Sequence, residues 1–333
     1  METLITDSPR EAAAILNQGK TVAFPTETVY GLGAAIDSPK ALAEVFKAKG
    51  RPPDNPLIVH ISTPEELPRV ASTLSPEAKL LISRFFPGPL TLVLPKSSAV
   101  PYAVTAGLDT VGVRCPAHPI AHEFLQCCHS PIAAPSANRS GRPSATSWEA
   151  VQNDLEGRIS VILRGAPSRI GLESTIVDCS GPHPLMLRAG AVTLEELQAV
   201  VPSITPAGKT IKNEAPKSPG LKYPHYAPKA AILTHEQGDA PQEAGPASAW
   251  IGLGTPPSGI AIAKTCASLD EYARELFSFF RYCDREAIHA IYCELPPTKA
   301  SAGPSATASN GPNSPESSSH SERPQTADMQ RSR

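Results

Sequence analysis

Several short windows of this sequence gather groups that can hold anions. In Pro25-Thr26-Glu27-Thr28-Val29-Tyr30-Gly31-Leu32, Thr26, Thr28 and Tyr30 bring hydroxyls close together after a strand-like run. Taken alone, that window also reads as a polar turn ahead of a helix. Lys47, Lys49 and Arg51 place three cations within five residues and run on to Asn55-Pro56-Leu57. Such charges complement a helix C-terminus. Beside an amide they equally suit a phosphate clamp, arginine being fitted to bidentate contacts. Ala133–Ser144 (AAPSANRSGRPS) follows another apolar run. Its small residues let a backbone approach a ligand, and successive N–H groups can form an anion-binding nest. The plainer reading is a Ser/Pro surface loop. Arg114, Glu173-Ser174-Thr175, Arg188-Ala189-Gly190 and Ser218–Pro228 (SPGLKYPHYAP) add weaker signals. Together they describe a site of Arg, Lys, Ser, Thr and backbone without an obvious nucleophile, suited to binding and aligning anions.

Familiar nucleotide motifs are incomplete. Gly19-Lys20-Thr21 and Gly208-Lys209-Thr210 end like phosphate-binding loops, but Ala14 and Ser203 stand where the first glycine belongs. Gly31-Leu32-Gly33 begins like a dinucleotide fingerprint, and Ile36 occupies the third small position. G-x-S-x-G and H-E-x-x-H are absent.

The elements that must position these residues are legible in part. Residues 8–18 read as a helix with Ser8 as N-cap, Pro9 at the first position, Glu11 close behind and Gly19 as stop. Ser38–Lys49 repeats the Ser-Pro opening, with Leu42, Val45 and Phe46 on one face, and Glu77–Phe86 forms a further helix. Strands are expected at Thr21–Pro25, Leu57–Ile61, Leu90–Leu94, Thr110–Arg114, Ile132–Ala134, Val161–Leu163, Thr175–Asp178 and Leu185–Arg188. Without strict βαβ alternation, the reading for 1–202 is an α/β domain with a twisted mixed sheet and helices. Residues 203–230 are rich in Pro, Lys and Ser and read as a linker. A smaller α/β domain over 231–296 is expected from strands at Ala231–Leu233, Ala249–Gly252 and Ala290–Cys293 and a helix at Leu269–Phe280. Residues 297–333 are low-complexity and expected to be disordered, having little to bury.

Composition bounds the rest. The 333 residues, 41% hydrophobic and 19% charged, suit a globular chain of two domains. A net charge of −2 makes neither a nucleic-acid binder nor a membrane-surface protein from bulk electrostatics, so an anion site must come from local clustering. No run approaches the ~20 apolar residues needed to cross a bilayer, and the N-terminus carries early acidic residues rather than a leader. Seven cysteines without a C-x-x-C pair argue for reduced thiols and a cytoplasmic location.

In order and content, eight segments resemble the YrdC-like family, specifically its two-domain threonylcarbamoyl-AMP synthases. These are PTETVYGLG (25–33), KAKGRPPDNPLIVHI (47–61), FPGPLT (86–91), VGVRCPAH (111–118), APSANRSGRPSAT (134–146), ESTIVD (173–178), LRAG (187–190) and SPGLKYPHYAP (218–228). The resemblance spans about residues 10–295 and implies a YrdC-like domain followed by a smaller Rossmann-like one. It implies that threonine captures bicarbonate or carbon dioxide as a carbamate. The carbamate then attacks the α-phosphorus of ATP and pyrophosphate leaves, with Mg2+ accompanying the nucleotide. Positioning and electrostatics suffice for such chemistry. Carried onto matching positions, the resemblance implies threonine contacts at Thr28, His60, Arg114 and Ser174. ATP contacts fall at Arg51, Asn55, Thr110, Ala134 (through its backbone), Ser136, Ser144, Arg188 and Tyr226, and Lys49 and Arg51 act on the triphosphate. From its strand neighbours alone, His60 reads as a core histidine. The resemblance further implies that the 203–230 linker is a lid over the site, that no protein-borne metal is needed, and that tRNA and a downstream threonylcarbamoyl transferase are partners.

The C-terminus departs from the family pattern. Where a Gly-Leu-Gly-led helix is expected after Pro296-Pro297, Thr298, Lys299, Ala300 and Ser301 follow. The expected consequence is an uncovered apolar face on the second domain. Competing readings are an RNA-binding module without turnover and a carbamoyl-transfer domain of the hydrogenase-maturation type. The latter brings zinc-finger and acylphosphatase segments for which this chain has neither cysteine spacing nor length. The second domain carries no catalytic constellation, and a regulatory role for it stays open.

Overall fold

A computed structural model describes residues 2–208, 227–239 and 244–296. Tyr226, most of the proposed lid and the 297–333 tail, including Thr298–Ser301, lie outside the described residues. The described residues fall within one compact unit ending at Pro296.

The chain opens with β1 (Leu4–Thr6), α1 (Pro9–Asn17), β2 (Val22–Phe24), β3 (Gly31–Ala35), α2 (Pro39–Lys49) and β4 (Ile58–His60). Next come α3 (Leu67–Val70), α4 (Pro76–Phe85), β5 (Leu90–Pro95), α5 (Tyr102–Thr105), β6 (Thr110–Arg114) and α6 (Pro119–Cys127). The first sheet is completed through β7 (Ile132–Ala134), α7 (Trp148–Leu155), β8 (Val161–Leu163), β9 (Thr175–Asp178), β10 (Leu185–Arg188), α8 (Leu194–Val200) and β11 (Thr205–Pro206). Three Ser-Pro pairs start helices in the same way. Ser8, Ser38 and Ser75 accept from the N–H groups of Glu11, Ala41 and Ala78, while proline takes the first helical position where no N–H is needed.

Eleven strands form one mixed sheet in the order β1-β8-β2-β3-β7-β4-β6-β5-β9-β10-β11. Its centre is the part that matters for chemistry. β4 runs parallel to β6 with His60 opposite Arg114, and antiparallel to β7 with Ile58 opposite Ala134. β3, which like β1, β11 and a later strand at Ile262–Thr265 is absent from the sequence reading, pairs with both β2 and β7. Its GLGAA sequence has poor strand propensity. It is a strand through its pairing on both sides, and its glycines are needed because Phe24 and Ile132 leave no room for a side chain: a Cβ on Gly33 would lie 2.6 Å from the Ile132 side chain. The main core spans both halves of this domain, from Leu32, Leu42 and Val45 to Leu92, Val177 and Leu197.

The C-terminal lobe is a four-stranded parallel sheet in the order β12-β15-β13-β14, comprising β12 (Ala231–His235), β13 (Ser248–Gly252), β14 (Ile262–Thr265) and β15 (Ala290–Glu294). One long helix, α9 (Leu269–Arg285), packs on it, and its core extends to Val29 and Leu172 of the first domain. Gly171, at φ +78°, meets this helix backbone to backbone, since an added Cβ would sit 2.5 Å from Arg274 Cα. On β12, Ile232 and Leu233 stay about two-fifths exposed, at 41% and 42%. No helix of the described residues is long and apolar enough to cross a membrane.

Candidate functional site

The ends of β4, β6 and β7 converge on a cleft lined by Lys49, Arg51, His60, Arg114, Ala134, Ser136, Asn138, Glu173, Ser174 and Arg188, among others. Residues that sequence places far apart are thus brought to one wall-to-wall site. Thr28, Asn55 and Ser144 lie buried behind this lining, and Thr110 opens β6 half-buried.

One end of the cleft is a recess built on Arg114. Its Nη1 donates to Thr28 Oγ1 at 2.7 Å and its Nη2 to Glu27 Oε1 at 2.7 Å. Both ionic side chains are only 5% exposed. Glu27 Oε2 also accepts from the Ala117 N–H at 3.2 Å. Among the described residues the buried Arg114 Nε has no hydrogen-bond partner. A buried polar atom of that kind calls for a ligand or water. Sequence reading passed over Glu27. The available signal was a carboxylate directly after a buried strand, where an unpaired charge could not be tolerated.

His60 sits beside Arg114 in register, its Nδ1 donating to the Ile58 carbonyl at 3.1 Å and its ring edge-on to Phe24. Burial first, and the neighbouring Arg114 charge second, hold its pKa down to about 3. The ring is therefore a neutral wall. Ser174 is fixed from two sides: its hydroxyl is 2.8 Å from Thr91 Oγ1, and Arg188 donates to its carbonyl through Nε and Nη2 at 3.1 and 2.9 Å. Gly190 lets the Arg188–Gly190 turn press against this segment, for a Cβ there would lie 2.4 Å from the Glu173 carbonyl.

The other end is the loop from Ala134 to Ser144. It is laced to the backbone around Tyr30, which donates its N–H to the Ala145 carbonyl at 2.8 Å and accepts from the Ala137 N–H at 2.7 Å. Lys49 underpins it. Its Nζ donates to the carbonyls of Ser136 and of Asn138, the latter at 2.7 Å, and to Asn138 Oδ1 at 3.4 Å. Burial, then the nearby Arg51 charge, pull the Lys49 pKa down to about 7. The residue expected to act on the triphosphate thus spends its protons on the loop backbone. Ser144 Oγ donates to Glu173 Oε1 at 2.5 Å. Asn55 is fully buried, and neither its amide nitrogen nor its oxygen has a partner among the described residues. Behind the loop lies Asp154, which sequence reading also missed. Burial works to raise its pKa, but the hydrogen bonds and charge of Arg281, with Arg142 and the Arg139 N–H, outweigh this and hold the carboxyl below its usual range.

Three cations of the cleft, Lys49, Arg51 and Arg188, face one carboxylate, Glu173, outside the Arg114–Glu27 pair. The cleft is locally positive on a chain of net charge −2.

Comparison with known proteins gives the family. The family described as "Telomere recombination" matches residues 14–190, and the family "Threonylcarbamoyl-AMP synthase, C-terminal domain" matches residues 192–306. A threonylcarbamoyl-AMP synthase of Pyrococcus abyssi is 44% identical over 304 residues, covering 86% of this chain and 88% of the relative. One from Bacillus subtilis is 48% identical over 239 residues, covering 71% of this chain and 69% of the relative. The crystal structure of P. abyssi Sua5 complexed with L-threonine superposes with a TM-score of 0.77 at 40% identity, covering 88% of this chain and 91% of that one. With both of its segments matched and relatives alike over most of their length, the chain belongs to the YrdC-like family in its two-domain form, the threonylcarbamoyl-AMP synthases.

Proposed function

We propose that the Arg114 recess holds L-threonine and the Ala134–Ser144 loop holds ATP, so that the carbamate of threonine meets the α-phosphorus between them. The chain is an ATP-using threonylcarbamoyl-AMP synthase, as its family membership establishes. The observation that carries the assignment of residues is the unpartnered, buried Arg114 Nε beside neutral His60 and Ser174, one cleft away from a cationic loop. A threonine carboxylate would satisfy Arg114, with Thr28 and Ser174 supplying hydroxyls. A neutral His60 adds no positive charge against the substrate amine.

At the nucleotide end, Arg51 and Arg188 would face phosphates, and Asn55 would find in ATP the partner its amide lacks. Ser136, Ser144, Thr110 and the Ala134 backbone shape the loop and its surroundings. Bicarbonate or carbon dioxide and the threonine amine give the carbamate. Its oxygen forms the new bond to phosphorus as the bond to pyrophosphate breaks. Lys49 keeps the loop in shape for that in-line approach. Among the described residues no cluster of three or more His, Cys, Asp or Glu could cage a metal. The donor set fits Mg2+ arriving on the triphosphate, since this ion keeps waters and binds through phosphates with few carboxylates. Bound there, it would neutralise the leaving pyrophosphate. The 203–230 segment, of which 209–226 with Tyr226 lie outside the described residues, is proposed as the lid over the 1–202 catalytic domain, with 231–296 as the second domain. A mixed anhydride hydrolyses readily, so its acceptor is proposed to be a transferase acting on tRNA. Seven unpaired cysteines fit a reducing, cytoplasmic compartment.

The test is pyrophosphate release from ATP, Mg2+, bicarbonate and threonine. Release should require threonine and fall at least a hundredfold in Arg51→Ala. Threonine-independent release, or none from folded protein, would rule the reading out.

A further inference from the structure

The C-terminal lobe reaches into the nucleotide loop through one side chain. Arg281 lies on the face of α9 that also carries Arg274 and Ser278, spaced three to four residues apart and so aligned toward the first domain. It is a mere 11% exposed. Its Nη2 donates to the Pro143 carbonyl and, at 2.8 Å, to Asp154 Oδ2; its Nη1 donates to Asp154 Oδ1 at 3.2 Å and its Nε to the Ser144 carbonyl at 3.4 Å. Asp154 itself is wholly buried and collects two further donors from the same loop, Arg142 Nη1 at 2.7 Å and the Arg139 N–H at 3.2 Å. Consecutive loop carbonyls are thus held by a guanidinium from a different lobe. The next atoms along are Ser144 Oγ and Glu173 inside the cleft. A planar fork that binds a carboxylate and two carbonyls at once is a task for Arg that Lys cannot reproduce.

We propose that Arg281 is a positioning residue for the nucleotide loop, through which the C-terminal lobe sets the affinity for ATP. This rests on the assignment of ATP to the Ala134–Ser144 loop made above. The second lobe then supplies a structural part of the nucleotide site rather than a separate activity. Threonine, held at the far end of the cleft by Arg114 and Ser174, lies outside its reach.

The test measures ATP and threonine affinity by calorimetry on full-length protein, with pyrophosphate release followed in parallel. Arg281→Ala should weaken ATP roughly tenfold or more, the scale of a lost charged hydrogen bond, while threonine affinity stays within about twofold. Arg281→Lys, which keeps Asp154 paired but lacks the fork, should fall between the two. Arg274→Ala, about two turns away with its guanidinium on Glu275, should bind both ligands like the parent. ATP affinity unchanged in Arg281→Ala overturns the proposal, as does an equal loss of ATP and threonine binding. Should the alanine variant not fold, parent-like ATP affinity in Arg281→Lys overturns it by itself. A parent protein that binds ATP without turnover sinks the catalytic reading alone, leaving the affinity ratio to decide this one. Failure of the parent to bind ATP removes both.

Discussion

Arg114 gives one terminal nitrogen to Thr28 and the other to Glu27, while its Nε has no partner among the described residues, which makes stability and binding separable at one position. Arg114→Ala leaves the buried Glu27 carboxylate with the Ala117 N–H but without its counter-charge, a change expected to cost about 3–5 kcal/mol. Adding Glu27→Gln should return much of that loss, without returning threonine binding. Denaturant unfolding and calorimetry on the single and double variants check both halves. Lys49 offers a second separation. Its folded pKa of about 7 lies below the ordinary lysine value, so the unfolded chain binds the extra proton. Stability from this group is complete at alkaline pH and is lost as pH falls toward 7. Five thiols whose pKa values burial raises pull the other way over this range, equally in parent and variant. Between pH 7 and 8.5 the slope of unfolding free energy against pH should therefore be more positive in the parent than in Lys49→Met. Equal slopes in parent and variant would contradict a depressed Lys49.

At the scale of elements, the strands were easier to see than the helices. β6, β7, β8, β9 and β10 have the expected bounds, because short apolar runs between Pro, Gly and polar clusters carry their own punctuation. α6, α7 and α8 escaped notice. For α8 the signal was present as the Thr193/Glu196 capping box, which the structure forms in full. β3 was illegible for a physical reason, since its glycines answer to Phe24 and Ile132, residues contributed by other strands. Of the residues named from motif blocks, Lys49, Arg51, His60, Arg114, Ala134, Ser136, Ser174 and Arg188 line one cleft, whereas Glu27, Asp154 and Arg281 depend on tertiary pairings that spacing does not encode. Close backbone approach gives two predictions here. Gly190→Ala should push the Glu173–Thr175 segment aside and weaken threonine binding at least tenfold by calorimetry, with the fold intact by circular dichroism. Gly171→Ala, at positive φ and against Arg274, should loosen α9. Limited proteolysis between the two sheets should then speed up relative to the parent, and an unchanged rate would show that the contact yields.

On the scale of the whole molecule, the large mixed sheet runs on to β11 at Thr205–Pro206, inside the stretch whose composition reads as linker, and the small parallel sheet starts at β12. What composition could not convey is how closely the two communicate. α9 contributes to its own sheet's core and also reaches Gly171 and the Asp154 cluster. A truncation before β12 should accordingly lower ATP affinity as well as stability, and its threonine affinity should suffer less. The exposed Ile232 and Leu233 on β12 are the part of the small sheet most prone to association, so Ile232→Lys should improve recovery at high concentration.

The neutrality of His60 has a further outcome for how the enzyme meets its surroundings. A ring that stays uncharged down to about pH 3 is a spectator to every acidity a cell experiences. Between pH 5.5 and 7 the threonine recess presents an unvarying face, so the dissociation constant for threonine should be level over that interval. Acid sensitivity in the overall rate then originates away from His60: in Lys49, whose pKa of about 7 falls in this range, and in the substrate, whose ammonium must shed a proton before it can capture carbon dioxide.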